Sequence, residues 1–532
     1  MFEVSLQFGS WINLLLFLAV AGGGTIALAW LWPRLVAAGR LRAVAAGLAL
    51  GHLGLLCAWA AQVRVDSDEV EHLHVSWLVA QGLTPYRDFW QNHSPLFWYL
   101  LAPAVAAFQS ASVLVFARIL AAALFLAVAA ASGWWCWRVY RSRAAAIAAA
   151  LIVLAPGVRL EGAWLRPDQL AALLAVAALA VVAAGRPSPL QALLAGAALG
   201  LSVCLTPKTS LLTAVFPVAV LLFARFSRGE QARLIAWYAL GGVAGAVPLF
   251  AVLLRHGIFN DWVLWTFTLH GNHLQLHKFF PGALAALAAV AAVSMFRERL
   301  PSDDGDDRRL PRLLLALAFV AQSIGTLLIP YHVAADLLPW AAIAAVLAGP
   351  LLVRWITEAA DLLAPPEKRR AMALLAAAAV LLIEVESVSY LLVRTSVGDF
   401  ASDRARIDWA IEQAAGEPVV LLTPVHSIFS HDATGLYHLW QYNHYLTDPL
   451  VNASLHDFGL NVIEKRPAVI AANPRRLTDD PQRDPAARPA LLDVLAGSGV
   501  ITESEWHVLR RFLEDNYTLQ RVENDLFYVR KR

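Results

Sequence analysis

The chain has 532 residues, of which 59% are hydrophobic and 15% charged, with a formal net charge of +2. A soluble globular chain carries about a quarter charged residues, so the composition excludes an ordinary soluble protein, and no nucleic-acid partner is expected. Cys57, Cys136 and Cys204 all lie in apolar runs without CxxC spacing, which argues against a disulfide framework or a zinc site.

In chain order, the first ten residues contain no basic side chain, so the run 11–32 reads as a retained helix rather than a cleaved signal peptide. Further apolar runs of spanning length follow at 43–63, 112–137, 143–157, 169–185, 188–205, 209–224, 233–254, 281–296, 312–329, 337–353 and 370–392, about twelve in all. The segment 95–108 is apolar but has only 14 residues, and at about 1.5 Å each they barely reach across a hydrocarbon core. Reading it as a short helix in or dipping into the interface puts every basic cluster on one side. Those clusters are Arg34/Arg40/Arg42, Arg138/Arg141/Arg143, Arg186, Arg225/Arg228/Arg233, the 297–312 loop, and Arg354 with Lys368/Arg369/Arg370. The positive-inside rule selects this arrangement, with both chain ends outside the cytoplasm. Reporter fusions at Ser227 and Ala487 are therefore expected to read from opposite sides of the membrane; agreement between them would refute the topology.

After Arg394 the sequence turns polar. PVVLLTP at 418–424 and PAVIAAN at 467–473 read as buried strands, 503–517 as an amphipathic helix and 526–529 as a last strand. The expected organisation is a helical polytopic membrane domain over 1–394 and a small extracytoplasmic α/β domain over 395–532.

The chemistry gathers in the outer loops. The first opens VDSDEVEHLH, with Asp66, Asp68, Glu69 and Glu71 followed by His72 and His74; a helix starting near Ser67 puts Asp68 and His72 on one face. It continues PYRDFWQNHSP, bringing Arg87, Asp88 and His93. The next carries Glu161, Arg166 and Asp168, Lys208 sits at another helix end, and later loops carry His270, His273 and His277, then Tyr331, His332 and Asp336. Plain explanations compete. Glu71 and Asp88 read as solvated loop acids, Lys208 as a snorkelling side chain, Asp68 as a helix N-cap, and the three spaced histidines as the polar face of an interfacial helix rather than a metal site. The Asp66, Asp68 and Glu69 cluster is harder to set aside, because acids beside a membrane are costly unless something uses them.

Asp68-Glu69, the GLTPYRDF stretch at 82–89, His93-Ser94-Pro95 before a short apolar helix, and Arg166-Pro167-Asp168 together resemble the GT-C membrane glycosyltransferases. The similarity is greatest to the family 39 group, which includes protein O-mannosyltransferases and aminoarabinose lipid A transferases. Many of those enzymes have a Lys-Pro-Pro sequence where this chain has His93-Ser94-Pro95. The resemblance covers roughly 43–360 and implies a GT-C-like fold and transfer of a sugar from a polyprenyl-phosphate donor to a lipid, polysaccharide or protein acceptor. The setting it implies is the outer face of a bacterial inner membrane, among membrane lipids.

An acceptor hydroxyl needs a carboxylate base, and a lipid-phosphate leaving group needs cations. The expected base is Asp68, with Asp66 and Glu69 as neighbours and Asp168 as the orienting partner. Arg166, Lys208, His93 and His332 are the expected contacts of the donor phosphate. No cofactor is expected, since a phosphate held by Lys and Arg needs no ion; the competing option is Mg²⁺ or Mn²⁺ bridged by Asp66, Asp68 or Glu69. A transporter or flippase of lipid-linked saccharides is the alternative class, and Glu384 and Glu386 inside the last span are the residues that fit it.

Overall fold

The computed structural model describes residues 65–154, 164–183, 185–223, 226–269, 309–327, 334–361, 400–420, 428–431, 458–471, 503–522 and 525–531. The runs 11–32, 43–63, 281–296 and 370–392 lie outside these residues, as do His270, His273, His277, Tyr331, His332, Glu384 and Glu386. The helices are α1 (Ser67–Ala80), α2 (Leu96–Val105), α3 (Val113–Tyr140), α4 (Arg143–Val153), α5 (Pro167–Val182), α6 (Pro189–Leu205), α7 (Val215–Leu222), α8 (Arg228–His256), α9 (Phe259–Val263), α10 (Arg309–Leu327), α11 (Leu338–Asp361), α12 (Phe400–Ala414), α13 (Phe458–Lys465) and α14 (Glu503–Asn516). The strands are β1 (Val469–Ala471), β2 (Tyr517–Val522) and β3 (Asp525–Arg530).

The chain divides into two compact units, one of Met1–Val63, Arg118–Ala251 and His270–Val397, the other of Arg64–Ala117, Val252–Leu269 and Gly398–Arg532. In the first, helices fall on each expected run that lies among the described residues. Helices α3, α8 and the Leu338–Trp355 part of α11 are long and apolar enough to cross a membrane, and α4 to α7 are shorter apolar helices. The protein is a multi-pass membrane protein. Local chemistry explains where several helices begin. Ser188 and Gln191 form a capping box before α6, with Pro189 at its first position. Ser227 and Glu230 do the same for α8, each side chain accepting the other's amide at 2.9 and 3.3 Å. The run at 209–224 is not one helix: it opens as a 3₁₀ segment, Pro207–Ala214, before α7.

Helices α6 and α8 meet backbone to backbone. A Cβ placed on Gly196 would lie 2.0 Å from the Tyr238 carbonyl oxygen, and one on Gly241 2.0 Å from that of Leu193. Gly196/Gly200 and Gly241/Gly245 are both small-xxx-small pairs, the pattern that lets membrane helices touch. The lipid-compatible side of α8 carries Leu240, Val243, Val247 and Leu254, all more than half exposed.

In the second unit α1 packs on α2. Helix α2 has 10 residues, about half the length needed to cross a bilayer. The three strands form an antiparallel sheet in the order β1-β3-β2, and Val420 adds an isolated parallel bridge to Ile470. Helix α14 ends at Asn516, one residue before the expected boundary, because Tyr517 already pairs with Arg530 in the sheet.

Candidate functional site

The acidic helix α1 begins at an Asp66 cap, whose side chain accepts the Asp68 amide at 3.0 Å. The capping role considered for Asp68 therefore belongs to Asp66, the last residue with extended backbone before the helix. Asp68 and Glu69 occupy the first turn, where the helix dipole favours carboxylates. Asp68 is half-buried, with the Ser67 hydroxyl donating to its Oδ1 at 3.3 Å.

Glu69 and Glu71 are both fully buried. The reading of Glu71 as a solvated loop acid is thus overturned, because α1 turns that face inward. Asp88 is exposed and fastens its own turn, its Oδ2 accepting the Thr84 amide at 2.6 Å. His93 Nε2 lies 4.0 Å from Glu71 Oε1, and the His93 ring centre is 5.6 Å from that of His72. Trp98 Nε1 donates to His72 Nδ1 at 3.0 Å, which leaves the proton of a neutral His72 on Nε2. The second unit therefore gathers Asp66, Asp68, Glu69 and His93 around one short helix and adds Glu71 and His72 to them.

Three contacts fix this region to the C-terminal residues of the same unit. The Val65 amide donates to Asp403 Oδ2 at 2.9 Å, the Ala111 amide to Asp408 Oδ1 at 2.8 Å, and His74 Nε2 meets the Ser430 carbonyl at 2.9 Å. Asp403 is also ion-paired with Arg406, both fully buried. Nothing beyond an Asp–Arg pair at helical spacing marks those two residues in the sequence.

Because the Ser430 carbonyl only accepts, His74 carries its proton on Nε2. Burial pushes His74 down to about 4; the Ser430 bond opposes the shift and neighbouring His431 adds to it. The folded state then binds fewer protons than the unfolded chain between that value and the ordinary 6.5. The stabilisation from neutral His74 is complete above about pH 6.5 and is lost as pH falls towards 4, on the order of 3 kcal/mol in total. Thermal midpoints of His74→Gln in detergent are expected to fall less steeply over that window than those of the unaltered protein; parallel curves would disprove the assignment.

The first unit holds a separate charged cluster. Pro167 at the first position and Gln169, whose Oε1 accepts the Arg166 amide at 2.9 Å, start α5. This places buried Arg166 just before the helix and buried Asp168 in its first turn. Lys208 Nζ donates to Asp168 Oδ1 at 2.8 Å and also to Asp336 Oδ1. Lys208 is thus locked between two carboxylates rather than simply snorkelling. Its backbone is held as well: the Lys208 carbonyl accepts Gln322 Nε2 at 3.3 Å, and neighbouring Thr209 shares a 2.9 Å hydroxyl contact with Ser202. Among the described residues no group of three or more His, Cys, Asp or Glu could hold a metal ion.

No protein-family model matches the chain, and no curated protein sequence does. Solved structures do. ArnT from Cupriavidus metallidurans in the apo state is similar with a TM-score of 0.55 and 14% identity, over 92% of this chain and 98% of that one. The same protein bound to undecaprenyl phosphate is similar with a TM-score of 0.53 and 16% identity, over 73% of this chain and 83% of that one. The apo oligosaccharyltransferase of Archaeoglobus fulgidus gives a looser likeness, with a TM-score of 0.47 and 13% identity over 79% of this chain and 69% of that one. Matched along nearly the whole length of both chains, this protein shares the fold of ArnT.

Proposed function

We propose that the protein transfers a sugar from a polyprenyl-phosphate-linked donor to an acceptor hydroxyl at the outer membrane face. The observation that carries this reading is the acidic helix α1, with Asp68 half-buried and Glu69 and Glu71 fully buried within one turn of it. Burying carboxylates is costly, and a chain of GT-C fold has a use for them as base and acceptor-orienting groups. Likeness to ArnT, whose structure holds undecaprenyl phosphate, supports a lipid-linked donor.

In this reading Asp68 is the base, with Glu69 beside it, while Asp66 shapes the helix start. Arg166 and His93 are the favoured phosphate contacts, with His332 a further one. Lys208 is weaker in that role, because one cation between two carboxylates leaves that trio a net charge of −1. The same bonds make Asp168 a frame residue as much as an orienting one. The acceptor is a lipid, polysaccharide or protein, and the setting is a bacterial inner membrane with the C-terminal domain outside.

Purified protein incubated with polyprenyl-phosphate sugars is expected to transfer the sugar or hydrolyse the donor slowly. Complete inertness towards hexose and pentose donors, with an envelope extract as the acceptor source, would refute the reading. Solute movement in proteoliposomes without sugar transfer would favour the transporter instead.

A further inference from the structure

We propose that Gln91 and Asn92 form a subsite for the hydroxyl groups of the donor sugar, an inference that rests on the transfer reaction above. The two side chains are 0% and 1% exposed, and Gln91 Oε1, Gln91 Nε2 and Asn92 Oδ1 have no hydrogen-bonding partner among the described residues. Buried amides are almost always paired, so an adjacent couple left unpaired calls for a reason.

The loop around them is held firmly. Tyr86 lies at φ +67°, a left-handed conformation that is strained for a residue with a side chain. It is fixed there by its amide donating to the Phe89 carbonyl at 2.9 Å and its hydroxyl donating to the His93 carbonyl. Backbone strain held in place by surrounding bonds is characteristic of ligand-binding loops. Arg87 adds a 3.0 Å bond to the His256 carbonyl. On one side of the amide pair, Trp90 packs edge-on against Trp265, their ring centres 6.1 Å apart. Trp265 belongs to a single π-helical turn, Leu264–Thr268, a feature frequent at functional sites. On the other side, His93 approaches Glu71 of α1. Gln91 and Asn92 are therefore the two-residue link between an aromatic wall and the acidic helix.

The unmet atoms define the ligand chemistry. Two are carbonyl oxygens, which need a donor, and one is an amide nitrogen, which needs an acceptor. A fully ionised phosphate offers acceptors alone, and a polyprenyl tail offers neither. A sugar hydroxyl both donates and accepts, and it is neutral like the amides that face it. Aromatic side chains beside a few placed polar groups are the common lining of such sites.

Binding of a short-chain polyprenyl phosphate, bare and carrying a hexose or pentose, tests this on the full-length protein in detergent. The unaltered protein is expected to bind a sugar-bearing lipid more tightly than the bare one. Gln91→Leu and Asn92→Leu should each remove about tenfold of that sugar-dependent gain and leave bare-lipid affinity as it was. Because Gln91 Oε1, Gln91 Nε2 and Asn92 Oδ1 make no hydrogen bond among the described residues, thermal midpoints should hold or rise. The proposal is overturned by a gain that survives in both variants, by the absence of any sugar-dependent gain in the unaltered protein, or by a clear fall in midpoint. An unaltered protein that binds neither lipid would overturn the transfer reading along with it, which distinguishes that failure from the others.

Discussion

Asp68→Asn is expected to lower sugar transfer by about 10²–10⁴-fold, the usual contribution of a general base, while the protein folds normally. The separation of the two effects follows from α1. Capping falls to Asp66, whose side chain takes the Asp68 amide, so neutralising Asp68 leaves the cap in place. Losing Asp66 is the opposite experiment: Asp66→Ala removes a cap worth about 1 kcal/mol and should disturb stability before chemistry. Transfer rates and thermal midpoints measured side by side on both variants decide between the roles. A folded Asp68→Asn protein with near-normal transfer would move the base to Glu69, the buried neighbour in the same turn.

The largest loss of stability is expected from Lys208→Met. Asp168 and Asp336 are 3% and 4% exposed, and Lys208 is the cation that bonds both. Removing one partner of a buried ionic group costs about 3–5 kcal/mol, because the charges left behind are stranded in a medium that solvates them poorly. The triple variant Lys208→Met/Asp168→Asn/Asp336→Asn should regain most of that loss, since it removes the two carboxylate charges together with the cation that bonds both. Denaturation midpoints in detergent check both expectations; a Lys208→Met protein as stable as the unaltered one would mean that the three residues do not form a structural unit. The rescued variant also serves the functional question. Its affinity for bare polyprenyl phosphate, compared with that of Asp168→Asn/Asp336→Asn, reports on Lys208 as a phosphate contact, because the two variants differ only at that cation.

The sequence by itself determined the features that depend on neighbours along the chain. Apolar runs located the helices α3 to α8, α10 and α11, because a residue in hydrocarbon needs apolar side chains and internal backbone bonds whatever its distant partners are. The start of α1 at Ser67 was legible for a similar reason: the bonds that open a helix reach only three or four residues. The ordered motifs at Asp68-Glu69, His93-Ser94-Pro95 and Arg166-Pro167-Asp168 resemble those of GT-C enzymes, and the chain shares the fold of ArnT.

What only the tertiary structure decided is which polar groups leave water, and with whom. Glu71 and Asp88 looked equally like solvated acids, yet packing of α1 buried the first and left the second exposed. The partners of Lys208 are 40 and 128 residues away, and Asp403 bonds an amide 338 residues away. No local periodicity encodes such pairings. Strand β2 went unread for the same reason: its residues become a strand by pairing with β3, along a ladder from Tyr517–Arg530 to Val522–Asp525. The amides of Gln91 and Asn92 carry no signal at all in the sequence. Their burial, like the Trp90–Trp265 contact and the approach of His93 to Glu71 on either side of them in the chain, comes only with folding.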